Sequence, residues 1–146
     1  MNTRKIFSFI IAALLFVAGQ SFAQKNKSEK PLDGFNYEAK LTVEAQAKPT
    51  KPMEDDLSFK NNKLKSKALA EKYNFKAGEF TATVDSSNAE EVVITFDAIM
   101  KGETADDILT WHGTVNGEDI EGSAIWTKKG KTKKSFAFTG LQKKKK

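Results

Sequence analysis

The stretch that decides the fold is "LTWHGTVNGEDIEGSAIWT", Leu109 to Thr127, in which two alternating segments flank an Asn-Gly pair. Alternation of apolar and polar residues with a period of two predicts a half-buried β-strand. Asn-Gly between two such segments predicts a hairpin with a two-residue type I′ turn. The stretch therefore predicts two antiparallel strands with Asn116-Gly117 at the tip.

That turn assignment fixes the pairing of the two strands, starting from Val115 opposite Glu118. Each large side chain then faces a small or polar residue. The predicted pairs are Trp111 with Gly122, Gly113 with Ile120, Leu109 with Ala124, Asp107 with Trp126 and, on the water-facing side, His112 with Glu121. Glycine across from tryptophan can allow close packing, because the indole ring can lie flat over a residue that has no side chain. The same small residues can instead leave the interior hollow.

Similar alternation recurs along the chain. Further strands are expected in residues 35–45, 79–84, 91–100 and 135–140, with a turn at residues 85–88 and a hairpin around Asn61-Asn62. Residues 69–73 form either a single helical turn or an irregular connection. The chain is therefore predicted to be all-β, an antiparallel up-and-down meander of about eight strands. We favour a small closed barrel over an open sheet or a sandwich, because closure removes both exposed edges.

The first 23 residues have the pattern of a secretory signal peptide. Arg4 and Lys5 precede an apolar run, and Ser21-Phe22-Ala23 resembles a cleavage site. The run is shorter than the roughly 20 residues of a spanning helix, so no transmembrane segment is expected after cleavage. The predicted organisation is a signal peptide (1–23), a disordered lead-in (24–33), a β-barrel domain (34–141) and a basic tail (142–146). The mature protein is expected to be periplasmic or extracellular.

Most of the excess positive charge of the chain lies at its C-terminal end. The sequence has 24 Lys and Arg against 19 Asp and Glu. Four of these lysines are the terminal residues Lys143, Lys144, Lys145 and Lys146. Such a tail is either a solvated end or a contact with an anionic envelope polymer. A nucleic-acid partner is not expected, because that function needs a basic, aromatic-bearing surface on the folded domain.

The residue types that most enzymes need are scarce. The sequence has one His and no Cys, so the usual zinc spacings and a cysteine nucleophile are excluded. No nucleophile-elbow, phosphate-binding or dedicated calcium-loop motif is present. We therefore predict no enzymatic activity, no catalytic residues, no metal site and no cofactor.

The segments "LSFKNNKLKS", "KYNF", "WHGTVNGEDIEGSAIWTKKGK" and "FAFTG" resemble small secreted bacterial proteins with a lipocalin-like, or calycin-like, β-barrel. The resemblance covers residues 32–141, and its most specific part is the hairpin from Trp111 to Trp126. It implies a barrel with a central cavity and no established activity. The chain departs from true lipocalins at Asn36, where their Gly-x-Trp motif has Trp, so the resemblance implies no particular ligand.

Two hypotheses for the function follow. In the first, the barrel carries a small apolar ligand in its interior. The ligand-binding residues would be Tyr37, Phe96, Asp107, Trp111, Trp126 and Phe138, with Asp107 and Trp126 at the mouth of the cavity. In the second, the barrel has a filled core and is an envelope or surface interaction module, which acts through its exposed strands or through the basic tail.

Overall fold

The computed structural model describes residues 31–44, 48, 50–88 and 90–145. These residues form eight antiparallel strands and one short helix. Their bounds are β1 (Asn36–Val43), β2 (Met53–Lys60), β3 (Lys63–Ser66), α1 (Lys67–Tyr73), β4 (Gly78–Asn88), β5 (Glu91–Lys101), β6 (Asp107–Asn116), β7 (Asp119–Lys128) and β8 (Lys131–Gln142). Neighbours in sequence pair with one another and β8 pairs with β1, so the sheet is a closed barrel. The predicted all-β meander is confirmed, whereas the predicted signal peptide lies outside the described residues.

Closure is achieved along the whole length of the first strand. The pairing of β1 with β8 runs from Tyr37 opposite Gln142 to Val43 opposite Phe136. Each terminal strand therefore has a hydrogen-bonded neighbour on both sides, which removes the edges that an open meander would expose. On the N-terminal side, Leu32 is fully buried. Most of the predicted lead-in, residues 24–30, lies outside the described residues.

The turn at Asn61-Asn62 is confirmed. Both asparagines have positive φ, +53° and +62°, as a type I′ turn requires. Lys60 pairs with Lys63 and Phe59 pairs with Leu64, which places Phe59 and Leu64 in the core. The sequence rule succeeds here because both central positions carry a residue that tolerates the left-handed conformation.

The hairpin between β6 and β7 is present, but its predicted tip is wrong by one residue. Asn116 belongs to β6 and pairs with Asp119, so the two turn residues are Gly117 and Glu118. Of these two, only Gly117 has positive φ, at +60°. Positive φ at the first central position alone is the pattern of a type II′ turn, which needs glycine there and accepts glutamate next.

The predicted pairing of β6 with β7 is consequently wrong. The observed pairs are Leu109 with Trp126, Trp111 with Ala124, His112 with Ser123, Gly113 with Gly122, Val115 with Ile120 and Asp107 with Lys128. Each partner differs by two residues from the predicted one. Side chains alternate with a period of two, so a shift of two residues leaves every side chain on its predicted face. The alternation of apolar and polar residues therefore could not distinguish the two registers.

The predicted turn at residues 85–88 is also wrong. These residues extend β4 to Asn88, and the pairing with β5 becomes irregular between Asp85 and Asn88. The backbone N–H of Ser87 donates to Asp85 Oδ1 at 3.0 Å, and that of Glu90 donates to Asn88 Oδ1 at 3.1 Å. The side-chain-to-backbone bonds typical of a turn are thus formed, but at an irregular strand end.

Of the two alternatives left open for residues 69–73, the helix is present as α1. Ser66 is its N-cap, and Ser66 Oγ accepts a hydrogen bond from the N–H of Leu69 at 3.2 Å. The helix ends at Asn74, whose φ of +59° is left-handed and whose N–H donates to the Ala70 carbonyl at 3.0 Å. Leu69 is fully buried, so this short helix packs its apolar side into the barrel core.

Candidate functional site

Four of the residues predicted to line a ligand cavity are fully buried against other aromatic rings. Tyr37, Phe96, Trp111 and Phe138 are each at most 1% exposed. Their rings and that of Phe59 form one connected series. The centroid distances are 5.9 Å for Tyr37–Phe59, 5.1 Å for Phe59–Phe96, 6.3 Å for Phe96–Phe138 and 5.1 Å for Trp111–Phe138. Four of the predicted lining residues are therefore brought into one series of rings, in which Phe59 joins Tyr37 to the other three.

Phe59 is the member of this series that the sequence did not identify as a site residue. It contacts Tyr37 and Phe96, and also Phe80 at 5.0 Å. The pairing of Phe59 with Leu64 was predicted correctly, but its contacts with Phe80 and Phe96 join β2 to β4 and β5, two strands with which β2 does not pair. Pairing of neighbouring strands carries no information about such contacts.

The space left by the two hairpin glycines is occupied by phenylalanine rings. A Cβ on Gly113 would lie 2.6 Å from Phe96 Cζ and 2.8 Å from Phe138 Cζ. A Cβ on Gly122 would lie 2.9 Å from Phe138 Cζ and 2.1 Å from the carbonyl oxygen of His112. The small residues beside the tryptophans therefore admit phenylalanine rings from β5 and β8. The residue opposite Trp111 is Ala124 and not the predicted Gly122.

The indole nitrogen of Trp111 is a polar atom in this apolar interior. Trp111 is fully buried, and its Nε1 has no hydrogen-bond partner among the described residues. An unpaired buried donor is costly, and the large apolar area of the ring offsets that cost. This nitrogen is the interior group to which a polar atom of a small guest could bind.

Asp107 and Trp126 come together as predicted, although through a diagonal contact. Trp126 Nε1 donates to Asp107 Oδ1 at 3.1 Å, and Thr104 Oγ1 donates to Asp107 Oδ2 at 2.9 Å. Lys128 Nζ lies 3.9 Å from Oδ2. The hydrogen bond from Thr104 lowers the pKa of Asp107 against the effect of desolvation, with further lowering by Trp126 and Lys128. The carboxylate is thus held ionised at the β6 end of the hairpin.

The predicted mouth beside Trp126 is covered by α1 and the residues that follow it. The Trp126 ring lies 4.9 Å from the Tyr73 ring and 5.1 Å from the Phe75 ring, centroid to centroid. Trp126 is only 6% exposed as a result. The arrangement closes this end of the barrel with two aromatic side chains, so Asp107 and Trp126 form a packed contact there.

Three lysines converge on the Tyr73–Trp126 pair, and the sequence did not reveal this cluster. Lys133 Nζ lies 4.2 Å from the Trp126 ring centroid, and Lys134 Nζ lies 3.0 Å from the Tyr73 hydroxyl oxygen. Lys72 Nζ lies 5.4 Å from the Tyr73 ring centroid. Burial acts to raise the pKa of Tyr73, but Lys134 and Lys72 lower it overall, as a local excess of positive charge requires.

A β-bulge explains why two consecutive lysines reach the same aromatic pair. The register of β7 with β8 shifts between Trp126, opposite Lys134, and Thr127, opposite Thr132. Lys133 is the extra residue. In a regular strand, successive side chains point to opposite faces, and a bulge re-aims one of them. The single-residue shift therefore allows Lys133 and Lys134 to meet Trp126 and Tyr73.

A second buried carboxylate, Asp55 on β2, holds the beginning of α1. The Ser66 hydroxyl donates to Asp55 Oδ2, and the N–H of Ala68 donates to Oδ1 at 2.8 Å. Burial raises the pKa of Asp55, and these two hydrogen bonds oppose the rise. Asp55 therefore fixes one end of the helix whose other end covers Trp126.

The outer face of β1 forms a groove of about 810 Å³. Its walls carry several carboxylates, together with Lys40 and Lys67. The acidic residues are Glu38, Glu54, Asp55, Asp56, Glu71 and Asp119. The groove is an outer surface and is distinct from the predicted aromatic site.

The basic tail is partly neutralised by acidic side chains. Lys143 Nζ lies 2.7 Å from Asp56 Oδ1 and 3.8 Å from Glu38 Oε1, and Lys144 Nζ lies 3.9 Å from Glu118 Oε1. Lys146 lies outside the described residues. Ion pairing reduces the charge that Lys143 and Lys144 can offer to an anionic polymer.

The described residues contain no group of three or more His, Asp or Glu side chains arranged to hold a metal ion. His112 lies on the outer face, where its Nδ1 is 2.7 Å from Asp97 Oδ1, and its predicted pairing with Glu121 is wrong. In the same part of the chain, no helix has both the length and the apolar character needed to cross a membrane.

Comparisons of the chain with family models, with curated proteins and with solved structures gave no match. The predicted resemblance to lipocalin-like secreted proteins therefore stays a prediction.

Proposed function

We propose that the protein is an exported, non-enzymatic interaction module, a lipocalin-like barrel with a filled core that contacts its partner through the outer surface. The observation that carries this proposal is the mutual packing of Tyr37, Phe59, Phe96, Phe138 and Trp111. These ring-to-ring contacts lie among the residues predicted to line a ligand cavity, which supports a filled core. Export is supported by the secretory pattern of residues 1–23.

A titration of the intact mature protein with apolar molecules tests the proposal. Trp111 lies in the interior and Trp126 at its covered end, so their emission reports on both places where a ligand could enter. We expect a long-chain fatty acid, a retinoid and an apolar fluorescent dye to leave the tryptophan emission unchanged. A saturable change with one bound molecule per chain would contradict a filled core and favour the carrier.

One observation favours the carrier as a second candidate function. Trp111 Nε1 is a buried donor without a partner in the described part of the chain, and a ligand with one acceptor atom would satisfy it. If the barrel is a carrier, a small molecule should be released when the purified protein is denatured, and mass spectrometry should detect it. Trp111→Phe removes the donor while keeping an aromatic ring, and should then lose that molecule. An extract without a bound molecule from the unmodified protein would argue against this candidate.

A further inference from the structure

The lysines at the aromatic end of the barrel differ from those of the tail in their partners. Residues 128–134, "KKGKTKK", contain five lysines. Among the described residues, Lys128 pairs with Asp107, whereas Lys129, Lys131, Lys133 and Lys134 have no carboxylate within ion-pair distance. Lys143 and Lys144 of the tail do have such partners. The β7–β8 hairpin therefore has more lysines without an acidic partner than the described part of the tail.

Two of the hairpin lysines, Lys133 and Lys134, are also held in place by aromatic side chains. Lys133 lies over the Trp126 ring and Lys134 binds the Tyr73 hydroxyl, so each ammonium group has a fixed aromatic partner. Lys72 of α1 lies near the same Tyr73 ring. An aromatic face attracts an ammonium group without using all three of its N–H donors. The remaining N–H donors can therefore bind an oxyanion. Ordering these side chains in advance reduces the entropy lost on binding.

We propose that the lysines at this end of the barrel bind an anionic polysaccharide. They are the cationic cluster on the Tyr73–Trp126 pair (Lys72, Lys133 and Lys134) and two further lysines of the β7–β8 hairpin, Lys129 and Lys131. The inference rests on the proposed function and names the partner of that outer surface. The lysine ammonium groups donate to carboxylate or sulfate groups of the polymer. The successive lysines of the hairpin engage successive anionic groups along it.

The surroundings of the cluster favour a polysaccharide over two other polyanions. Single-stranded nucleic acid is bound by stacking bases on exposed aromatic faces, but Trp126 is 6% exposed and Lys133 covers its ring. Insertion into a membrane surface needs exposed apolar residues beside the lysines. The exposed large apolar side chains are Val92, Ile99, Ile125 and Leu141, and none belongs to α1 or to residues 128–134.

Binding of the mature protein to labelled dextran sulfate, measured by fluorescence anisotropy at fixed salt with neutral dextran as the reference, tests the proposal. The double variant Lys133→Gln/Lys134→Gln should bind about tenfold more weakly, since it loses two contacts to charged groups. The matched control Lys143→Gln/Lys144→Gln removes the same charge from lysines that already have acidic partners, and should keep most of the affinity. Melting curves check that both variants fold.

Because Lys134 contacts Tyr73, its substitution could also affect folding. A second variant distinguishes a direct loss of binding from such a folding effect. Lys131→Gln/Lys133→Gln changes two exposed side chains and should show the same loss. Equal losses of affinity in the hairpin and tail variants would overturn the site, because binding would then depend on net charge alone. The proposal of a filled-core interaction module would be unaffected by that result. Equal or tighter binding to single-stranded DNA or to phosphatidylglycerol vesicles would overturn the choice of polysaccharide. An absence of binding to dextran sulfate would overturn the inference, and the apolar titration would still decide the proposed function.

Discussion

Trp111 and Trp126 lie on paired strands, but their indole nitrogens have opposite surroundings. Trp111 Nε1 is buried without a partner among the described residues, while Trp126 Nε1 donates to Asp107 at 3.1 Å. Trp111 contacts Phe138 in the barrel core, whereas Trp126 lies below Lys133 at the end that α1 covers. The interior of the barrel is therefore held by apolar packing, whereas its covered end also has hydrogen bonds and ion contacts to the aromatic rings.

This difference explains how the same residue type can serve two purposes. Burial of a large ring stabilises the core even when its N–H is unpaired, because the apolar area removed from water is large. At the covered end, the Trp126 ring instead donates its N–H to the Asp107 carboxylate and contacts the Lys133 ammonium group over its face. Variants that affect the two regions should therefore differ in the size and in the pH dependence of their effects.

The largest expected effect is that of Gly122→Val in the interior. A Cβ at this position would lie 2.1 Å from the backbone oxygen of His112 and 2.6 Å from Gly113 Cα, so backbone would have to move. We expect a loss of about 3 kcal/mol in the free energy of unfolding, at the upper end of overpacking costs. Urea denaturation measures it. Thr139→Val, an exposed change to the same residue on β8, is the control, and equal stability of the two variants would contradict the close packing.

A smaller loss is expected from Asp107→Ala at the covered end. The variant leaves Trp126 Nε1 and Thr104 Oγ1 without their acceptor, and the cost of the buried indole N–H dominates. The melting temperature should fall, and the Trp126 emission should change. Asp106→Ala removes an exposed neighbouring carboxylate and serves as the control. A melting temperature equal to that of the control would show that the Asp107–Trp126 bond does not stabilise the end of the barrel.

The two buried carboxylates should respond to pH in opposite directions. The pKa of Asp107 is lowered, so its contribution to stability is present above the ordinary carboxyl pKa of about 3.9 and is lost as the pH falls through the lowered value. The pKa of Asp55 is raised by burial, so its contribution is present below about 3.9 and is lost as the pH rises through the raised value.

Asparagine variants make this contrast measurable. Relative to the unmodified protein, Asp107→Asn should become less stable as the pH is raised from acid to neutral. Asp55→Asn should become relatively more stable over the same change, because the amide does not ionise in its buried position. Thermal melts of the three proteins across that range provide the comparison. Parallel pH profiles for the two variants would contradict the opposite pKa shifts.

The sequence predicted the strands, the faces of their residues and the register of β2 with β3. It did not predict the register of β6 with β7 or the covered end of the barrel. Tyr37, Phe96 and Phe138 were correctly placed inside because alternation with a period of two determines which face a residue occupies. The β6–β7 register differed by two residues, since Gly117-Glu118 and Asn116-Gly117 give the same alternation. The bulge in β8, in which Lys133 is the extra residue, cannot be recognised from the sequence because the segment is polar throughout and shows no alternation.

The covered end depends on contacts between residues far apart in sequence. Tyr73 meets Lys134 because α1 lies over the end of the barrel, and that position is fixed by Asp55 at the start of the helix. The sequence offered only two alternatives for residues 69–73, and neither located the helix relative to β7 and β8. Local pattern determined the strands, and long-range packing determined the candidate polymer-binding surface.

The smallest expected effect is that of Lys133→Gln on the charged end. Because the Lys133 side chain is exposed, its contact with the Trp126 ring contributes about 0.5–1 kcal/mol, so the melting temperature should change little. The emission of Trp126 should change more clearly, because a positive charge 4.2 Å from its ring centroid is removed. Measuring this in a Trp111→Phe background makes Trp126 the sole reporter in the chain. Lys129→Gln, which removes a lysine of the same hairpin that has no contact with the ring, is the control. If both variants shift the emission equally, Lys133 does not occupy the ring face, and the structural difference between the two tryptophans then rests on Asp107 alone.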